Sequence, residues 1–86
     1  MPQLSRFMGI VIYMYYLDHE PPHFHAEYNE SIAQINIQTF EVIEGKLPAR
    51  ILGLVTEWAS LNQEKLMEDW NLRKAGKKLK SIEPLQ

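Results

Sequence analysis

The 86-residue chain contains no cysteine. It therefore has no disulfide bond, no thiolate ligand for zinc and no cysteine nucleophile. Its apolar runs are short and fall well below the roughly 20 residues that a membrane-spanning helix needs. No basic segment followed by an apolar stretch and small residues opens the sequence, so we expect a cytoplasmic protein.

The chain also has no excess of positive charge, since it contains nine Lys and Arg residues and eleven Asp and Glu residues, for a net charge of −2. This excludes a uniformly basic nucleic-acid-binding protein. The charge is divided unevenly, however, because residues 1–72 carry −6 and residues 73–86 carry +4. That last segment is a candidate docking patch for an acidic partner protein or for nucleic acid. Its basic residues are Arg73, Lys74, Lys77, Lys78 and Lys80.

The first half of the chain has the composition of β-strands. Residues 7–16 are dense in β-branched and aromatic side chains, and polar and apolar residues alternate along residues 23–28. Asn29-Glu30-Ser31 predicts a hairpin turn before a third strand, in which the uneven spacing of Ile32 and Ile35 suggests a bulge or a late start. Residues 40–43 are either a short fourth strand or an extended approach to a turn. The strands are thus expected within residues 7–43.

The second half has the periodicity of helices. Pro48 suits a first helical turn, and Gly76 suits the position after the last one. One unbroken helix over residues 48–75 would be about 42 Å long. That length does not fit a chain with a radius of gyration near 12 Å, so we predict a break near Asn62-Gln63. The expected apolar stripe comprises Leu47, Ile51, Leu54, Val55, Trp58 and Leu61, continued by Leu66, Met67 and Trp70.

These patterns predict a single α+β domain over residues 1–86. An antiparallel sheet of three or four strands packs against one kinked helix or two consecutive C-terminal helices. An extended basic tail over residues 77–86 follows, and its Leu79, Ile82 and Leu85 are available to dock on the rest of the molecule.

All three histidines of the chain, His19, His23 and His25, fall within seven residues. Two histidines at positions i and i+2 of a strand project from the same face, and imidazole is a common metal ligand. His19 could fold back to join them, and Asp18 or Glu27 could supply a carboxylate. The three histidines and Asp18 are the candidates for a divalent zinc or iron site, and the histidines are also the candidate catalytic groups. In the alternative interpretation the histidines lie on the surface of a strand and shape an interface, and no cofactor is expected.

Five segments of the chain resemble a known family of small bacterial proteins, domain of unknown function 4160. They are residues 7–15, 18–28, 42–48, 57–59 and 82–85, and the most specific part is Pro21-Pro22-His23-Phe24-His25. The resemblance implies a stand-alone bacterial α+β domain. Genes of that family often lie beside those of a second small family, in an arrangement similar to toxin–antitoxin pairs.

The resemblance therefore favours a protein–protein interaction component of a two-gene module that binds a small partner protein from a neighbouring gene. The alternative function is a small metal-dependent or histidine-assisted hydrolase that acts on nucleic acid. Such an enzyme needs a general base and cations that hold the phosphate. Arg6, Arg50 and Arg73 are the candidate cations, although they are scattered along the sequence.

Overall fold

One antiparallel sheet and two helices make up the fold of residues 2–86, which a computed structural model describes. Five strands follow one another in the order β1-β2-β3-β4-β5, and each pairs antiparallel with the next. This arrangement confirms the predicted α+β class with two consecutive C-terminal helices. The strands are β1 (Gln3–Phe7), β2 (Ile10–Tyr13), β3 (His23–Tyr28), β4 (Ser31–Asn36) and β5 (Val42–Gly45), and the helices are α1 (Ala49–Leu61) and α2 (Gln63–Lys74).

The sheet has five strands and not three or four, because the apolar run of residues 7–16 contains a turn. Phe7 pairs with Ile10, and the two residues between them, Met8 and Gly9, have φ angles of 50° and 78°. Two consecutive positive φ angles are the geometry of a type I′ hairpin turn, whose twist matches that of the flanking strands. The run is therefore the end of β1, a turn and β2, and the strands span residues 3–45 in place of 7–43.

The second hairpin, around Asn29, lies where the sequence predicts it, since Tyr28 pairs with Ser31. β4 then keeps a strict alternation in which Ala33 and Ile35 are buried while Ile32 is exposed. The bulge expected between Ile32 and Ile35 is confirmed in the pairing of β4 with β5, whose register shifts between Gln34 and Ile35. Gly45, which pairs with Ala33, has a φ of 83°, and a Cβ at this position would overlap the carbonyl oxygen of Ile32.

The helical region breaks at Asn62, as the length argument predicts. The Asn62 side chain donates a hydrogen bond to the Trp58 carbonyl, 2.8 Å away. Because α1 ends at Leu61, that residue is exposed and does not continue the predicted apolar stripe. α2 ends before Gly76, whose positive φ of 68° is the conformation expected after a helix C-cap. None of the helices in the described part of the chain is long and apolar enough to span a membrane.

The C-terminal tail docks on the sheet and the helices, and its apolar residues Leu79, Ile82 and Leu85 join the core as predicted. The Ile82 N–H donates to the carbonyl oxygen of Leu4 on β1, at 2.8 Å. The Trp58 Nε1–H donates to the carbonyl oxygen of Glu83, also at 2.8 Å. The tail is therefore extended but fixed, with its apolar side facing the protein.

Asp69 ties α2 to this tail and predicts a pH-dependent stability. Its Oδ1 accepts a hydrogen bond from the Lys80 N–H at 2.8 Å, while its Oδ2 is buried without a partner among residues 2–86. Burial raises the pKa of Asp69. The folded state then bears a desolvation cost above the folded pKa, and the cost is relieved as the pH falls through that value and the carboxylate takes up a proton.

We expect Asp69→Asn to be at least as stable as the wild type at pH 7, because it removes the charge and keeps the acceptor for Lys80. Its advantage should shrink as the pH is lowered. Asp69→Ala should instead lose about 1–3 kcal/mol, since it leaves the Lys80 N–H without an acceptor. Urea denaturation of the three proteins between pH 7 and pH 3 measures both effects. An Asn variant as unstable as the Ala variant at pH 7 would contradict this account.

Candidate functional site

The loop that joins β2 to β3 folds back over the start of β3 and brings a carboxylate to two histidines. A turn forms first, in which the Asp18 N–H donates to the Tyr15 carbonyl at 3.4 Å and the Tyr15 N–H donates to Asp18 Oδ2 at 3.2 Å. Asp18 Oδ2 then lies 3.2 Å from His25 Nε2, and Oδ1 lies 3.6 Å from His23 Nε2. We refer to Asp18, His23 and His25 as the Asp–His cluster.

The two histidines of the cluster are buried, which excludes the interpretation that they are outward-facing strand residues. They are 2% and 6% exposed, respectively, and their ring centroids lie 5.4 Å apart. The His25 ring stacks on Tyr13 at 5.0 Å, because the sheet register places these residues opposite each other on β3 and β2. Tyr15 meets the same ring edge-on at 4.9 Å. On the other side, His23 packs 5.2 Å from Trp70 of α2.

The hydrogen bonds of His23 define which of its nitrogens carries a proton. Its Nδ1 lies 2.7 Å from the Pro21 carbonyl oxygen, which only accepts, so Nδ1 is the donor. In the neutral ring, Nε2 then has a lone pair that faces Asp18 Oδ1, another acceptor. Within the described chain, this buried Nε2 has no hydrogen-bond partner.

Burial also affects the other titratable groups of the site. It lowers the pKa of His25, and this effect exceeds the opposing attraction of the Asp18 carboxylate. The pKa of Tyr13 is raised to about 12, mainly by burial and then by the neighbouring Tyr15. Around neutral pH, the site therefore combines a neutral His25 and a neutral Tyr13 with the Asp18 carboxyl group.

Arg73 of α2 holds the loop that carries Asp18. Its Nη1 donates to the carbonyl oxygens of Tyr16 and Asp18, each at 2.9 Å. Its guanidinium carbon lies 3.6 Å from the ring centroid of Trp70, which is a cation–π contact. Arg73 is thus buried and is not part of a solvated basic patch with Lys77 and Lys78. The helical spacing of residues 66, 70 and 73 indicates that Arg73 lies on the buried face of α2, but it does not indicate which carbonyl groups Arg73 binds.

The other predicted site residues lie apart from the cluster. His19 is exposed, and the group of possible metal ligands that the structure brings together contains Asp18, His23 and His25 but not His19. Arg6 and Arg50 are exposed as well. Among residues 2–86, neither forms a hydrogen bond or an ion pair with the cluster.

Next to the cluster, the turn exposes apolar side chains that sequence reasoning did not single out. Leu17 is 97% exposed, and the two residues before it, Tyr15 and Tyr16, are also exposed. We call Tyr15, Tyr16 and Leu17 the apolar turn. Besides the Arg73 contact, the Tyr16 hydroxyl donates to the carbonyl oxygen of Lys77 at 2.8 Å. The turn is therefore held by both α2 and the tail.

The fold and the site together define a small α+β protein with a buried Asp–His cluster behind an exposed apolar turn. The family model described as "Domain of unknown function (DUF4160)" matches residues 9–71, and the chain belongs to this family. The match includes the Asp–His cluster and the apolar turn but ends before Arg73. Comparisons with curated proteins and with solved structures gave no match.

Proposed function

We propose that this protein binds a small partner protein, as one component of a two-gene module of the toxin–antitoxin type, and that the apolar turn is its docking surface. The observation that carries the proposal is the exposure of Leu17 on a turn that buried residues hold in place. A leucine that is 97% exposed contributes almost nothing to the core of the monomer. With its neighbours Tyr15 and Tyr16, Leu17 forms a contiguous exposed apolar patch, and such patches often mark surfaces that bind another protein.

The rigidity of the turn supports a binding role. Hydrogen bonds from Arg73 hold the carbonyl groups of Tyr16 and Asp18, and the Tyr16 hydroxyl is bound to the tail. A surface that is already ordered loses little conformational entropy when it binds. Tyrosine is also among the residues that most often provide binding energy at the centre of an interface.

The charges around the turn indicate the chemistry of the partner. Lys74 pairs with Glu20 and Lys80 pairs with Glu68, each at 2.6 Å. Lys77 and Lys78 are exposed and form no ion pair within residues 2–86, and the Lys77 carbonyl contacts the turn directly. A complementary partner has an apolar pocket for Leu17 with acidic side chains at the rim nearest these lysines.

A second candidate function, the metal-dependent or histidine-assisted hydrolase acting on nucleic acid, is favoured by the Asp–His cluster itself. The cluster offers ligand types that catalytic metals use. Arg73, the candidate cation that contacts the Asp18 backbone, however, donates its hydrogen bonds to two loop carbonyls. We therefore rank partner binding first.

Leu17→Lys is the direct test of the docking surface. With the purified product of the neighbouring gene, we expect this variant to bind at least about tenfold more weakly in isothermal titration calorimetry, because a charge replaces the apolar anchor. Leu61→Lys is the matched control, since Leu61 is also exposed (71%) but ends α1. Equal affinity of Leu17→Lys and the wild type, or an equal loss in the control, would contradict the proposal.

The lysines are tested separately, with Lys77→Gln and Lys78→Gln combined in one protein. We expect weaker binding and a shallower dependence of the affinity on salt, since two exposed charges are removed. An unchanged affinity and salt dependence would remove the basic tail from the interface and leave the apolar turn as the whole docking surface.

A further inference from the structure

We infer that Asp18, His23 and His25 form a binding site for a divalent transition metal ion, either zinc or iron(II). This inference goes beyond partner binding and stands on separate observations. One nitrogen or oxygen atom from each of the three residues lies within 4.8 Å of the other two. The remaining observations concern the spacing of these atoms, an unsatisfied nitrogen and the groups that orient the ligands.

The spacing of the atoms fits a metal after a small adjustment. Ligands bound to zinc at about 2.0–2.1 Å in a tetrahedral arrangement are separated from one another by roughly 3.3 Å. Asp18 Oδ2 lies 3.2 Å from His25 Nε2, and Asp18 Oδ1 lies 3.6 Å from His23 Nε2, so each histidine has a carboxylate oxygen near this separation. In the set with one atom from each residue no pair is more than 4.8 Å apart, so closing the widest pair to this separation brings its two atoms together by at most about 1.5 Å.

The His23 ring supplies an observation that points to a ligand independently of spacing. Its Nδ1–H donates to the Pro21 carbonyl oxygen. Its buried Nε2 has no hydrogen-bond partner among the described residues and lies 3.6 Å from Asp18 Oδ1. Two acceptors that face each other in a buried site are unfavourable unless a cation or a proton lies between them. A metal ion coordinated by both atoms removes the unsatisfied acceptor.

The surroundings also orient the ligands as metal sites require. Metal-binding histidines usually donate their second ring N–H to a carbonyl or carboxylate, which is the bond His23 forms with Pro21. Arg73 fixes the backbone of Asp18 through its carbonyl oxygen. The rings of Tyr13, Tyr15 and Trp70 pack around the histidines and restrict access of water.

The set of ligands indicates which metal ions fit. Two histidines and one carboxylate are the protein ligands of many zinc sites and of non-haem iron(II) sites, in which at least one coordination position stays open. The absence of cysteine from the chain leaves copper(I) and iron–sulfur clusters without their usual thiolate ligands. Zinc and, as its spectroscopic substitute, cobalt(II) are therefore the probes of choice.

The test titrates the chelator-treated full chain with zinc by calorimetry and with cobalt(II) by visible absorption. We expect saturable 1:1 binding of each metal and cobalt(II) absorption bands typical of nitrogen and oxygen ligands. The melting temperature should rise with the zinc concentration. Asp18→Asn and His23→Gln should each weaken binding at least about tenfold. His19→Gln, the matched control, should bind as the wild type does, because His19 lies outside the cluster.

Histidine-labelled NMR of the unmodified protein keeps the inference testable if a cluster variant fails to fold. The Nε2 signals of His23 and His25 should shift on addition of zinc, and those of His19 should not. Absence of saturable binding, an Asp18→Asn protein that binds with wild-type affinity, or shifts confined to His19 would overturn the site. Because these measurements need no partner protein, they do not depend on the outcome of the Leu17 experiment.

Discussion

Replacing Trp58 by alanine is expected to lower the free energy of unfolding by about 3–5 kcal/mol. The indole is fully buried and packs against Phe7 and Phe24, at ring-centroid distances of 5.5 and 5.9 Å. It also donates a hydrogen bond to the Glu83 carbonyl, so one side chain connects α1, the sheet and the tail. Truncation leaves a large cavity between these parts, and a domain of this size has a small total stability.

Urea denaturation followed by circular dichroism measures this loss. Trp58→Phe is the informative control, because it keeps an aromatic ring in the core but loses the hydrogen bond to Glu83. We expect it to lose less than the alanine variant and to loosen the tail around Ile82. If the urea midpoint of Trp58→Ala matched that of the wild type, the packing of α1 on the sheet would be assigned incorrectly.

Replacing Arg73 by alanine is expected to lower the free energy of unfolding by about 2–4 kcal/mol, because it removes two charge-assisted hydrogen bonds and one cation–π contact. Truncation leaves the carbonyl oxygens of Tyr16 and Asp18 without their donor and uncovers the face of Trp70. Since the same bonds hold the apolar turn, partner affinity should fall together with stability.

Two substitutions separate the geometry of Arg73 from its charge. Arg73→Lys keeps the charge, but an ammonium group cannot stack on Trp70 and donate to both carbonyls as a guanidinium does. It should therefore recover only part of the loss in urea denaturation. Lys74→Ala, next in the sequence, removes an exposed ion pair with Glu20 and should change the stability by less than about 1 kcal/mol. A wild-type midpoint for Arg73→Ala would show that other contacts hold the loop.

The sequence predicted best the parts of the fold that depend on local periodicity. The alternation around Phe24 and the three- and four-residue spacing around Trp58 each indicate a face that must be buried, whatever it packs against. The turn at Met8-Gly9 was missed because its flanking residues are apolar on both sides, so the composition of a strand continues through it. A lone glycine was the only local signal there.

The candidate site could be predicted only in part, for a physical reason. The positions of His23 and His25 on one face follow from the two-residue period of a strand. Their burial does not, because it depends on how the β2–β3 loop folds back and on the contacts of Trp70 and Arg73 with that loop. In the sequence, Arg73 lies 57 positions after Tyr16 and 55 positions after Asp18, whose carbonyl groups it binds. No local pattern carries information over that distance.

The tail contact at Leu4 has a consequence for self-association. A β-sheet grows by adding strands at edges whose backbone groups are free. At one edge of the sheet, the Ile82 N–H donates a hydrogen bond to the carbonyl oxygen of Leu4 on β1. The other edge of the sheet is β5. Strand-by-strand pairing through β5 would join two molecules about a twofold axis and use the free edge of each. Such pairing uses both free edges and ends with two molecules, and we expect the tail contact on β1 to oppose further strand addition at that edge.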